Sequence, residues 1–151
     1  MYVGLIVVIN TLKSEAHKLS LTSSINNMND VKVCLVCSSN DVQVYETLTE
    51  IADQCSNTNV VNAKMKKTSL ASIRAGARFL QNEFSLKYIG YIAELDHLKV
   101  LSVLEKFVDY QETIIALNKR EKNNKNVKPT FYQSLFSISE YLEKIIANLI
   151  V

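Results

Sequence analysis

The chain has 151 residues, 48% of them hydrophobic and 21% charged, which suits one globular domain with one core, residues 1–151, and excludes extended disorder. A formal net charge of +2 is too small to point to nucleic acid or another polyanion, so no nucleic-acid partner is expected. No apolar run approaches the roughly 18 residues of a membrane span, and no basic leader precedes the short apolar start, so a cytoplasmic protein is expected.

Taken in order, apolar β-branched runs alternate with helical patterns. "YVGLIVVIN" (2–10) reads as a strand, and Ala16, Leu19, Leu21 and Ile25 fit a helix over 14–27. "VKVCLVC" (31–37) is a second strand. Asn40 or Asp41 then caps a helix from Val42 to Cys55, with Val44, Leu48 and Ile51 on one face. "TNVVNA" (58–63) is a third strand. Thr68 or Ser69 caps a helix over 70–82 whose inner side carries Leu70, Ile73, Ala77 and Leu80. "LKYIGYIAEL" (86–95) is a fourth strand, followed by a helix over 98–109 with Leu101, Leu104 and Val108 in register. "QETIIALN" (111–118) reads as a fifth strand, 119–129 as a basic loop, and 130–150 as a long helix after Pro129.

This alternation predicts an α/β domain of Rossmann-like, three-layer type: a mostly parallel sheet with helices on both faces and right-handed crossovers. Ligands of such sheets sit outside the carboxyl ends of the strands. That brings Asn10–Lys13, Cys37–Asp41, Asn62–Lys67 and Glu94–His97 to one rim.

Three cysteines cannot all pair within the chain, and alternation sets Cys34 and Cys37 on opposite strand faces, so reduced thiols are expected. "CLVC" has the spacing of a redox or zinc pair, but it lies in a strand rather than at a helix start. The chain has only three glycines, Gly4, Gly76 and Gly90, which leaves no glycine-rich phosphate loop, and no nucleophile elbow is present.

Glu94 and Asp96 are the main candidates for chemistry. If the fourth strand persists through them, both carboxylates face one side and share a hard cation, magnesium or manganese. The other reading is that Asp96 caps the following helix while Glu94 meets solvent. His97 is either a neighbouring ligand or a structural histidine. Lys64, Lys66 and Lys67 before a helix start, with Arg74 and Arg78 on it, form either an anion-binding corner or a solvated basic stretch. Gly76 costs a helix about 1 kcal/mol relative to alanine, so something close, a strand or a ligand, is expected against it. The basic run Lys119–Lys128 ahead of Phe131, Tyr132, Leu135 and Phe136 suits either peripheral contact with an anionic membrane or a helix docked on the core. The apolar C-terminal helix also suits a second copy of the chain or a partner protein.

In order, these pieces resemble the family 2 glycosyltransferases of the GT-A fold, and most closely the dolichyl- and polyprenyl-phosphate sugar synthases. "VVINTLKSE" (7–15) stands where that family has an "IPxYNE"-like turn, and "LVCSSND" (35–41) where it has "VDDGSxD". "KMKKTSLASIRAGARF" (64–79) resembles "GKGxALRxG", with Arg74, Ala75 and Gly76 in register. "AELDHLKV" (93–100) stands for the "DADxxxP" metal motif, and "ETIIALNKREK" (112–122) for a strand running into a basic turn.

The resemblance implies transfer of a sugar from a UDP- or GDP-linked donor with Mg or Mn. Asn10, Ser38, Ser39, Asn40, Lys64 and Arg74 would contact the nucleotide, Glu94 and Asp96 the metal, and His97 and Arg120 would stand nearby. The chain also departs from the pattern. Cys37 and Ser38 replace the acidic doublet, Asn10 and Leu12 replace the proline and tyrosine of the first turn, and no residue takes the place of a catalytic base. The resemblance therefore carries an alternative, a catalytically inactive transferase-like protein (a pseudoenzyme) that serves as a binding or assembly partner.

Overall fold

The computed structural model describes residues 3–12, 14–28, 30–63, 68–93, 96–123 and 134–150. Five parallel strands form one sheet in the order β3-β2-β1-β4-β5, with β1 at Val3–Ile9, β2 at Val31–Cys37, β3 at Thr58–Asn62, β4 at Tyr88–Ile92 and β5 at Phe136–Ser137. Every residue of β1 is buried, which follows from its central place and its unbroken apolar sequence. β3, at an edge, alternates less and leaves Asn59 and Asn62 exposed. β1 and β2 run in full register, from Val3 opposite Val31 to Ile9 opposite Cys37.

The helices α1 (Glu15–Asn26), α2 (Val42–Gln54) and α3 (Ser69–Glu83) each begin at a side-chain cap. Ser14 accepts from the His17 N–H, Asp41 from the Gln43 N–H, and Thr68 from the Ala71 N–H. Each cap satisfies a backbone donor that the helix itself leaves unpaired. α3 buries Ile73, Ala77 and Leu80 as its spacing predicts, whereas Leu70 is 54% exposed because it lies in the first turn, before the helix reaches the sheet.

The C-terminal third departs from the sequence-based expectation. Residues 111–118 are not a strand. They continue α4, which spans His97–Asn123 and bends at Tyr110 (φ −113°, ψ 16°). Ile114 and Ile115 give the stretch its strand-like look, but burial follows a helical stripe from Phe107 through Ile114 to Asn118. Residues 119–123, expected as loop, are its last turn. The fifth strand is the two-residue β5, and the terminal helix α5 covers Ile138–Ile150 rather than the predicted 130–150.

The odd-numbered residues of β1 face a core shared with α1, α2, α4 and α5, and the even-numbered ones face α3. This is the predicted three-layer arrangement. Gly76 packs on the sheet: a Cβ there would lie 2.8 Å from Ile6 Cγ2 and 2.9 Å from Val36 Cγ2, so a strand pair and not a ligand requires the glycine. α5 turns Ile138, Tyr141, Leu142 and Ile145 inward, so its apolar face serves this core.

One connection breaks the expected pattern. The first two crossovers step from β1 towards β3 with their helices on one face, and α3 then crosses back to β4 on the other face. Those three share one hand. The step from β4 to β5 continues in the second direction, but α4 lies on the face of α1 and α2, so its hand is opposite. Right-handed crossovers account for about 98% of such units, so a sequence reading assumes one hand throughout.

Candidate functional site

The order of the sheet switches at β1, which has β2 on one side and β4 on the other. In open α/β sheets this is where a crevice forms, because the chain leaves the neighbouring strands towards opposite faces. Here α1 and α4 leave β1 and β4 towards the same face and pack side by side. The crevice is accordingly small. Among the described residues, a recess of about 10 Å³ lies between the end of β1 and the first turns of α4, lined by residues that include Ile9, Asn10, Leu12, Leu21, Val100 and Leu101. That is room for about one water in largely apolar surroundings.

Of the residues that the sequence nominates, Asn10 lines this recess, and Ser38, Ser39, Asn40 and Asp96 stand at the same end of the sheet. Asn10 is half-buried just beyond β1. Ser38 follows β2; its backbone N–H donates to the Ile9 carbonyl at 3.0 Å, and its hydroxyl reaches the same oxygen at 3.4 Å. Ser39 Oγ accepts from the Asp41 N–H at 3.0 Å, a turn that sets Asp41 as the cap of α2 and leaves Asn40 exposed. Ser38 and Ser39 therefore hold the chain as it leaves β2.

Asp96 caps α4, with its Oδ1 accepting from the Leu98 N–H at 2.9 Å and its carbonyl from the Val100 N–H at 3.1 Å. β4 ends at Ile92, four residues earlier, so strand alternation does not set the direction of Asp96. The capping reading holds for this residue. A hard cation takes six or more oxygens, and among the described residues no group of three acidic, histidine or cysteine side chains is placed to hold a metal. Glu94 and Lys64 lie outside the described residues, and His97 is the first residue of α4.

Arg74 is exposed on α3, on the opposite side of the sheet from α1 and α4. Arg120 is exposed near the end of α4; its neighbour Lys122 donates to the Lys87 carbonyl just before β4, at the amino end of the strands. The fold thus carries Arg120 away from the rim, because the basic stretch after 111 is helix and not a strand-to-loop turn.

The thiols are reduced and buried, with Cys34 and Cys37 on opposite faces as alternation requires. Burial pushes Cys34 up to about 12. It also raises Cys37, where the Ser39 carbonyl works the other way and Asp41 adds to the rise. Neither thiol has the depressed pKa of an activated nucleophile.

The rim shows one feature that periodicity alone does not bring forward. Val42, Leu70 and Leu98 are 66%, 54% and 56% exposed, and each lies in the first turn of a different helix, α2, α3 and α4. All three helices start at the carboxyl end of the sheet, so apolar side chains mark that end of the domain. The available sequence signal is an apolar residue one or two positions after each cap. No described helix is long and apolar enough to cross a membrane. The chain matches no protein-family profile and no curated protein.

Proposed function

We propose that the protein is a transferase-like binding or assembly partner, related in architecture to the nucleotide-sugar transferases that its motif order resembles but not itself carrying out sugar transfer. The observation that carries this reading is the placement of α4 beside α1, which reduces the crevice at the strand-order switch to about 10 Å³ among the described residues. A nucleotide diphosphate needs a pocket of some hundreds of cubic ångströms. The carboxylates described at that rim, Asp41 and Asp96, each accept from a helix N–H. The exposed Val42, Leu70 and Leu98 give the same end of the domain a surface suited to association.

A second reading keeps the transferase chemistry. Asn10, Ser38, Ser39 and Asn40 bring hydrogen-bonding groups to the same end of the sheet as Asp96, and the Asp96 carboxylate would serve a divalent cation next to a UDP- or GDP-linked sugar. Calorimetric titration with UDP and with GDP, with and without manganese, on the native chain and on Asp96→Ala, separates the two. The first reading expects no metal-dependent heat for either nucleotide. Binding that requires both manganese and Asp96 would overturn it and establish the second.

A further inference from the structure

β3 ends the sheet on one side and β5 on the other. The two edges differ. β5 has two residues, too short to seed pairing with another chain. β3 pairs with β2 along all five of its positions, from Thr58 opposite Val33 to Asn62 opposite Cys37. Charges, prolines and bulges ordinarily keep an edge strand from recruiting another. The β3 sequence, Thr-Asn-Val-Val-Asn, has no charge and no proline, and its unbroken register has no bulge. Among the described residues, no strand lies on its outer side.

Two bonds fix where its backbone groups point. The Val33 N–H donates to the Asn57 carbonyl at 2.9 Å, and the Ala63 N–H donates to the Cys37 carbonyl at 2.9 Å. In a parallel pair one residue turns both its groups to the neighbouring strand, and the next turns both away. The odd-numbered residues of this stretch thus bond β2. Val60, at the centre of β3, presents its N–H and C=O outward. Such a donor and acceptor on one residue complement the same two groups on an antiparallel copy.

The helix above has a matching flank. Lys18 of α1 pairs with Glu50, which marks the side of α2 that faces α1. Val44, Leu48 and Ile51 turn to the core, so Tyr45, Thr49 and Ala52 form the stripe on the far side, towards the β3 edge. This stripe is uncharged, and Tyr45 is 37% exposed. A two-fold axis through Val60 sets α2 antiparallel to its copy, with the two Thr49 side chains nearest the axis. Two copies therefore meet there with no like charges opposed.

We propose that β3 pairs antiparallel with β3 of a second copy, joining the two five-stranded sheets into one. Val60 donates to and accepts from Val60 of the second copy, and α2 packs on its counterpart through Tyr45, Thr49 and Ala52. A second copy fits better than an extended peptide, because only a folded copy also covers the α2 flank. The interface uses none of the nominated rim residues, so it stands under either reading of the rim.

The test is sedimentation equilibrium of the full chain between about 1 μM and 1 mM, with amide hydrogen exchange read at Val60 over the same range. The expected result is a reversible dimer, with Val60 exchange slowing as the dimer fills. Val60→Pro removes the outward N–H and leaves the bonds to β2 in place. It loses both central hydrogen bonds, so the dissociation constant rises roughly thirtyfold. Thr49→Glu sets two carboxylates against each other at the axis and raises the constant roughly tenfold at low salt, with recovery at high salt. This variant decides the matter if Val60→Pro does not fold. A chain that stays monomeric up to about 1 mM, a dimer whose Val60 exchanges at the monomer's rate, or a dimer that Thr49→Glu leaves unchanged would overturn the proposal.

Discussion

Replacing Gly76 by alanine sets two opposed effects against each other. Within a helix the exchange is worth about 1 kcal/mol in favour of the folded state. At this position the new methyl would lie 2.8 Å from Ile6 Cγ2 and 2.9 Å from Val36 Cγ2, well inside the roughly 3.5–4.0 Å of ordinary carbon contact. Both neighbours are fully buried, and both are β-branched, with little freedom to rotate away. They stand on the two central strands, which pair along seven positions, so the sheet does not yield either. Overpacking of this kind costs about 1–3 kcal/mol. The expected balance is a net loss of about 1 kcal/mol, and with a urea slope of about 2 kcal/mol/M the unfolding midpoint falls by roughly half a molar. Equilibrium urea unfolding of the native chain and Gly76→Ala measures it. A midpoint that rises by a similar amount would show the helix propensity acting unopposed, and α3 would not approach β1 and β2 as closely as described.

The buried thiol and phenol make alkaline stability a second check. Burial raises Cys34 from 9.0 to about 12; at Tyr141 burial, opposed by the bond from Asn118 and assisted by Glu121 and Glu140, raises the hydroxyl from 10.0 to about 12. A folded-state pKa above the unfolded one gives stability that is complete below the unfolded value and lost as pH rises towards the folded one. The urea midpoint should therefore hold to pH 9 and fall between pH 9 and 12, with Cys34→Ala removing the earliest part of the fall. A flat midpoint across that window would refute the burial of these groups. Third, Cys34, Cys37 and Cys55 are all buried, so a thiol reagent should label none of them rapidly in the native protein and all three in denaturant. Fast native labelling of Cys37 would mean that the end of β2 opens to solvent.

Much of the fold is written locally. Asp41 and Thr68 stand immediately before an apolar helical period, and each caps the helix that the sequence predicts. The alternation of Cys34 and Cys37 is equally local, as is the glycine that lets α3 approach the sheet. The errors fall where local pattern and tertiary placement compete. Ile114 and Ile115 resemble a strand, yet they extend a helix whose buried stripe starts upstream at Phe107. β5 has two residues and no period to detect. At the candidate site, β4 ends at Ile92 and Asp96 caps α4, one of the two roles its position in the sequence allows. Which face α4 chooses is not encoded in its own spacing, because either face of a parallel sheet is apolar.

The placement of α4 and α5 also has a consequence during synthesis. By Ile92 the ribosome has delivered four strands and three helices, and α3 can already cover its side of the sheet. On the other side α1 and α2 are in place, but the part over β4 must wait, because Tyr88 and Ile92 share their core with Phe107, Ile114, Ile138 and Leu142. About fifty further residues separate β4 from the last of these, and at roughly 5–20 residues per second they take about 3–10 s to arrive. Through that interval the nascent chain presents a half-covered sheet, the kind of surface that a ribosome-associated chaperone engages.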